Sequence, residues 1–278
     1  MSDLHEYWNR LRNRIGMKTH LDRPIFLVGC GKSGTTLLAL LIASHPHVGP
    51  KPPILDGKTN LQSAIRQLLT SEGFAQIAPL TEQKEIWDNY FPMTADLRVG
   101  KELILTKNPL SKAETISLIR KLTYSFHAER YFNKAPFNSF RIHVLRQIWP
   151  DAKIIALHRD GRDVIASWYR QSYHLEKYKC REIALKTFAK KWNEAIDHLE
   201  AYRDELGISI WRYENLVDDP NQMLKKILSY AELPWRPELY DGLKLDTRCG
   251  RWQAIIPEEF HSRVNDWTNK NRERLGYV

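Results

Sequence analysis

An α/β fold with a central, mostly parallel sheet flanked by helices is predicted by three observations. Two short apolar runs with no polar face, at 24–29 and 153–158, read as buried strands. Each run leads at once into a glycine-containing turn, and each turn into a helical stretch. Strands that alternate with helices imply crossover units, whose parallel sheet gathers ligands beyond the strands' carboxyl ends. Both glycine turns fall there. No repeat, low-complexity tract or linker divides the chain, so residues 1–278 are expected to form a single domain.

Taken in order, residues 1–20 place Leu4, Tyr7, Trp8 and Leu11 at helical spacing, a basic lead-in helix. The first strand is followed by a helix over 37–43, which His45-Pro46 stops because proline disfavours α geometry in the residue before it. Gly49-Pro50-Lys51-Pro52-Pro53 is the most loop-like stretch, with helices expected at 61–69 and 82–90. The poorly periodic segment 49–110 suits an acceptor-binding insertion as well as it suits passive packing. A long helix is expected over 113–130, a short strand at 130–134, and a helix carrying Phe140, Val144, Leu145 and Ile148 on one stripe. The second buried strand, 153–158, comes next. A helix over 180–206 is expected to turn Ile183, Phe188, Trp192, Ile196 and Leu199 to the core, before a strand at 208–213 and a helix at 221–230.

Composition narrows the function less than the motifs do. With 42 basic and 33 acidic side chains the formal charge is +9, which favours anionic partners, an anionic acceptor among them. The basic residues are dispersed and form no nucleic-acid module, so nucleic acid is not an expected partner. Cys30, Cys180 and Cys249 are odd in number and far apart, giving neither a disulfide framework nor a zinc site. No 18-residue apolar run spans a membrane, and residues 1–20 do not resemble a secretory signal. A reducing, cytoplasmic setting is the simplest expectation, with a lumenal one open if a targeting segment has been removed.

The first chemical constellation is Gly29-Cys30-Gly31-Lys32-Ser33-Gly34-Thr35-Thr36. Backbone N–H groups of a glycine loop and of the helix N-terminus behind it converge where an anionic phosphate is held. Lys32 adds a full charge, and Ser33, Thr35 and Thr36 add hydroxyl donors. A Walker A loop would need glycine at position 26, where Phe26 stands, which counts against an ATP-dependent kinase. The second constellation is His158-Arg159-Asp160-Gly161-Arg162-Asp163-Val164-Ile165-Ala166-Ser167-Trp168. Arg159 can grip a phosphate with two N–H groups and Ser167 can add a hydroxyl. Their separation, 167 − 159 = 8 positions, is about two helical turns, or ~12 Å.

Lys-Ser-Gly-Thr-Thr directly after a strand resembles the 5′-phosphosulfate loop of sulfotransferases, and the Arg159…Ser167 pair resembles that family's 3′-phosphate motif. Asn133-Lys134-Ala135-Pro136 is similar to the Lys-x-Pro segment of the tyrosylprotein and glycan enzymes, Arg212-Tyr213-Glu214-Asn215-Leu216 to the family's Tyr-Glu-x-Leu segment, and Arg248-Cys249-Gly250-Arg251-Trp252 to its cofactor-covering loop. The likeness, which runs over about 24–255, extends to bacterial sulfotransferases. It implies a P-loop-like three-layer fold and an enzyme moving a sulfuryl group from 3′-phosphoadenosine 5′-phosphosulfate (PAPS) to an acceptor hydroxyl, releasing adenosine 3′,5′-bisphosphate (PAP), without a metal.

In that scheme Lys32 and Lys134 are catalytic. The donor is held by Gly31, Lys32, Ser33, Gly34, Thr35, Thr36, Arg159, Ser167, Tyr213, Arg248, Gly250 and Arg251. The acceptor, whether a glycan, a tyrosine or a small molecule, stays open. So does the general base, because relatives with a similar His-Pro-x-Val stretch carry a glutamate shortly after it, where this chain has Gly49-Pro50-Lys51-Pro52-Pro53. Asp56 is the nearest carboxylate, and Glu102, His127, Glu129 and His143 are further candidates. The histidine that cytosolic relatives place two residues after the lysine is Pro136 here. A small-molecule kinase and a non-catalytic nucleotide- or polyanion-binding module are the alternatives.

Overall fold

The computed structural model of the protein describes residues 23–55, 60–68, 83, 86–87, 111, 113–114, 117–118, 121–122, 129–171, 175–246 and 248–277. Its centre is β1 (Ile25–Gly29), whose five residues are all buried because a strand lies on each side and helices cover both faces. Among the described residues the sheet has five strands in the order β2-β3-β1-β4-β5, all parallel. The others are β2 (Val48–Gly49), β3 (Arg130–Lys134), β4 (Lys153–His158) and β5 (Ser209–Arg212).

Side chains alternate across the strands and divide the core in two. Ile25 and Leu27 of β1, with Ile155 and Leu157 of β4, pack on helices α1 (Thr35–Ala43), α2 (Leu61–Leu68), α6 (Tyr213–Asp218) and α7 (Pro220–Tyr230). Phe26 and Val28, with Ile154 and Ala156, face α3 (Ile142–Ile148), α4 (Gly161–Tyr169) and α5 (Arg181–Leu206). This is the expected three-layer arrangement, helices over both faces of a parallel sheet. α8 (Pro237–Tyr240) and α9 (His261–Arg274) follow, α9 lying against α4 and α5.

The chain leaves β1 toward α1 on one face and leaves β4 toward α4 on the other. Adjacent strands whose connections depart to opposite faces open a crevice at their carboxyl ends, the usual ligand position in such sheets.

Most expected elements stand where the apolar pattern put them, and the differences have physical causes. Ile183 is 47% exposed rather than core-facing. It precedes Phe188 by five positions, which turns it about 140° off the stripe, and Ala184 and Leu185 are buried in its place. The 208–213 strand ends at Arg212, and Tyr213 opens a helix instead. β2 has two residues, too few to show a period. Helix α9 carries few apolar residues and docks through polar ones: Asn193 Nδ2 donates to Trp267 O at 2.7 Å, and Asn271 Nδ2 donates to Asn193 Oδ1 at 3.0 Å. Residues 1–20, Asp56, most of 49–110 and most of the 113–130 helix lie outside the described residues. Among the described residues, no helix is long and apolar enough to cross a membrane.

Candidate active site

Strand register delivers the two motifs to one edge. Gly29 of β1 pairs with Leu157 of β4, so Gly31 and Arg159, each two residues further on, leave the sheet side by side. His158 pairs in turn with Arg212 of β5, and the next residues, Arg159 and Tyr213, emerge together.

The 29–34 loop turns tightly. Lys32 (φ 69°) and Gly34 (φ 88°) both occupy the left-handed region, the first at a conformational cost that glycine avoids. Ser33 N donates to Cys30 O at 3.2 Å, closing the turn. Helix α1 then starts without a side-chain cap and without an acidic residue in its first turn, so its amino end keeps its positive potential. Ser33 Oγ is fully buried and has no hydrogen-bond partner among the described residues, Thr35 is buried and Thr36 half-buried. An uncapped amino end beside an unpartnered hydroxyl is a chemistry that suits an anion.

Tyr213 joins this loop to Arg159. A β-carbon placed on Gly34 would stand 2.3 Å from Tyr213 Cδ2 and 2.4 Å from Cε2, so the ring lies directly on the loop. The Arg159 guanidinium lies 4.8 Å from the centre of the same ring, a cation–π contact. Loop, tyrosine and arginine therefore form one continuous surface.

Arg159 is held from the other side as well. Its Nη2 donates to Arg248 O at 2.5 Å and stands 3.3 Å from Asp163 Oδ2, which also accepts from Gly250 N at 2.8 Å. Burial pushes the Asp163 carboxyl up, an effect that Arg159 and the Gly250 N–H oppose. Arg159 is buried and its Nε has no hydrogen-bond partner among the described residues, a donor that a phosphate oxygen can satisfy. The 248–250 loop is thereby tied to the arginine across the crevice.

Comparison with known proteins decides what this surface belongs to. A family model described as "Sulfotransferase family" matches residues 24–237, three quarters of the chain. The chain belongs to the sulfotransferase family. Protein-tyrosine sulfotransferase A of Caenorhabditis elegans is 24% identical over 218 residues, covering 76% of this chain and 50% of that protein. An omega-hydroxy-beta-dihydromenaquinone-9 sulfotransferase, Stf3 of Mycobacterium bovis, is 26% identical over 317 residues, covering 95% and 78%. A mouse sulfotransferase solved in complex with PAP superposes with a TM-score of 0.53 at 15% identity, over 91% of this chain and 85% of that one, a likeness of fold. The chain spans between 30% and 59% of the length of four of the curated relatives it matches.

The other site residues expected from the sulfotransferase resemblance are placed as follows. Lys134 ends β3, pairs in register with Leu27 and is 1% exposed. Beyond it, Ser139 Oγ accepts from Gly29 N at 2.9 Å and lies 2.7 Å from Pro136 O, which clasps the Lys-x-Pro turn to the start of the phosphate loop. Ser167 is half-buried near the end of α4. Arg251 is exposed and stands 3.8 Å from Asp246. Of the base candidates, Glu129 is hydrogen-bonded to His47, and His143 Nδ1 lies 3.0 Å from Tyr202 Oη against α5. Asp56, Glu102 and His127 lie outside the described residues.

Three residues that stand within the sequence motifs but were given no role there share the surface. Asp163 was findable from its i, i+4 spacing to Arg159, which stands just before the amino end of α4. Trp168 Cζ2 would stand 3.3 Å from a β-carbon on Gly31, so its ring borders the loop. Glu214 accepts from Asp160 N at 3.1 Å. Asp163, Glu214 and Cys249 bring ligand-type atoms within 4.8 Å of one another, but the two carboxylates are already engaged by Arg159, Gly250 N and Asp160 N.

Proposed function

We propose that this protein transfers a sulfuryl group from PAPS to an acceptor hydroxyl. The observation that carries the reading is the joining of two anion sites by Tyr213, one at the loop after β1 and one at Arg159 after β4. A single nucleotide with phosphates at both ends matches two such sites on adjacent strands. Ser33 Oγ and Arg159 Nε, both buried and without a partner among the described residues, are donors that its phosphates would satisfy. A fold neighbour that holds PAP agrees with this donor, and relatives named for protein tyrosine and for a menaquinone leave the acceptor class open.

When bound, PAPS supplies a sulfuryl group already attached to a phosphate leaving group. Lys32 and the N–H groups of 31–36 place positive charge where negative charge builds on the departing 5′-phosphate, the preorganised electrostatic work that phosphoryl transfer also uses. Lys134, at the end of the neighbouring strand, neutralises the transferred group's oxygens. Arg159 and Ser167 hold the 3′-phosphate, Tyr213 lies along the adenosine portion, and Arg248, Gly250 and Arg251 cover the nucleotide. Asp56 is the proposed base for the acceptor hydroxyl. The kinase alternative is disfavoured because Phe26, at the position of the first Walker A glycine, is a buried strand residue packed on Trp87 and Trp149.

The test is turnover of labelled PAPS against a panel of phenolic, glycan and lipid hydroxyl acceptors. Lys32→Ala is expected to lower kcat by roughly a hundredfold or more with PAP affinity reduced much less, the size expected for loss of a transition-state charge partner. Transfer at the wild-type rate by Lys32→Ala, or none by wild type with any acceptor while ATP with Mg²⁺ is consumed, refutes the reading.

A further inference from the structure

We propose that Tyr277 is a positioning residue that holds the residues on both sides of Arg159, the His158 ring directly and the Asp160 N–H through Glu214, and so sets affinity for the nucleotide's 3′-phosphate. This rests on the PAPS reading above. Tyr277 lies beyond the 24–237 span that the family model matches.

The geometry is a relay behind the arginine. Tyr277 is buried, and its hydroxyl donates to Glu214 Oε2 at 2.8 Å. The Tyr277 hydroxyl oxygen also lies 2.9 Å from His158 Nδ1. Burial, reinforced by the nearby Arg212 charge, lowers His158 to about 4, so the ring is neutral. Because the phenol's one proton goes to Glu214, the imidazole proton sits on Nδ1 and points at Tyr277. Glu214 Oε1 completes the relay by accepting from Asp160 N at 3.1 Å. The residues immediately before and after Arg159 are thus joined through one phenol and one carboxylate. Glu214 also directly follows Tyr213, the ring on which the Arg159 guanidinium rests.

Tyr277 is itself pinned. Its N–H donates to Arg272 O at 2.8 Å, and the Arg212 guanidinium stacks 3.9 Å from its ring centre. A phenol pinned in this way in a buried site can transmit position through the Glu214 carboxylate and the His158 ring that it bonds. Its effect falls first on the arginine end of the crevice, because His158 and Asp160, the residues it reaches, directly flank Arg159.

The experiment is isothermal titration of the full chain with PAP and with 5′-AMP, which lacks the 3′-phosphate. Tyr277→Phe removes only the hydroxyl. The expected result is a loss of PAP affinity of about tenfold, the worth of one hydrogen bond, with 5′-AMP affinity held within about twofold. In an Arg159→Ala background the same substitution should change PAP affinity by less than about twofold, because its route to the phosphate has gone. Unchanged PAP affinity in Tyr277→Phe overturns the proposal, and so does an equal loss for PAP and 5′-AMP, which marks general loosening. Wild-type protein that holds PAP no more tightly than 5′-AMP overturns the two-phosphate reading itself, and this inference with it. Should Tyr277→Phe fail to fold cooperatively, Glu214→Gln carries the same comparison under the same criteria.

Discussion

Gly34→Ala puts the contact that joins the two anion sites under direct strain. The new methyl carbon would start 2.3 Å from Tyr213 Cδ2, against an ordinary contact of 3.4 Å or more, so the ring must retreat by about 1 Å. Gly34 also holds φ 88°, which costs a non-glycine residue about 1–2 kcal/mol. Overpacking adds about 1–3 kcal/mol, so urea unfolding should show a total loss of roughly 2–5 kcal/mol. The two contributions separate in a double-mutant cycle. In a Tyr213→Ala background the clash is gone and only the backbone strain should remain, leaving a coupling of about 1–3 kcal/mol. Gly242→Ala is the control, since Gly242 has φ 75° and nothing within 4 Å of its added carbon. It should lose about 1 kcal/mol and leave PAP binding unchanged, whereas Gly34→Ala should weaken PAP binding by displacing the ring under Arg159. Additivity of Gly34→Ala with Tyr213→Ala would refute the packing argument.

His158 and the metal question give two further tests. Because the folded chain holds His158 at about 4 and the unfolded value is 6.5, the unfolded state alone binds its proton between those limits. Its contribution is fully present above pH 6.5 and falls by ~1.4 kcal/mol per unit as the pH drops, about 3 kcal/mol by pH 4. His158→Gln should remove that part of the acid limb, and an unchanged difference between variant and wild type from pH 7 to pH 4 would refute the assignment. Transfer should be unaffected by EDTA, since the proposed charge partners are Lys32, Lys134 and Arg159; loss of activity restored by Mg²⁺ would contradict this.

The parts of the site legible in the sequence are those encoded locally. The phosphate loop and the Arg159 turn each follow an unbroken apolar run, and a strand, a glycine turn and a helix start occupy a dozen consecutive residues. Tyr213 could be noticed as a motif residue, but its contacts with Gly34 and Arg159 follow from the register of β5 on β4, which pattern alone does not fix. The Tyr277 relay was invisible for the same reason. It joins residues 158, 160, 214 and 277, brought together by strand order and by the docking of a polar helix with no apolar stripe. Ile183 shows the converse error, an apolar residue counted into a stripe from which helical geometry rotates it.

The most direct measurement is a crystal structure of the protein with PAP. The 5′-phosphate is expected within hydrogen-bond distance of Lys32 and the 31–36 N–H groups, with the 3′-phosphate on Arg159 and Ser167. A nucleotide bound in another crevice, or touching one of these two groups while the other stays out of its reach, would contradict the reading.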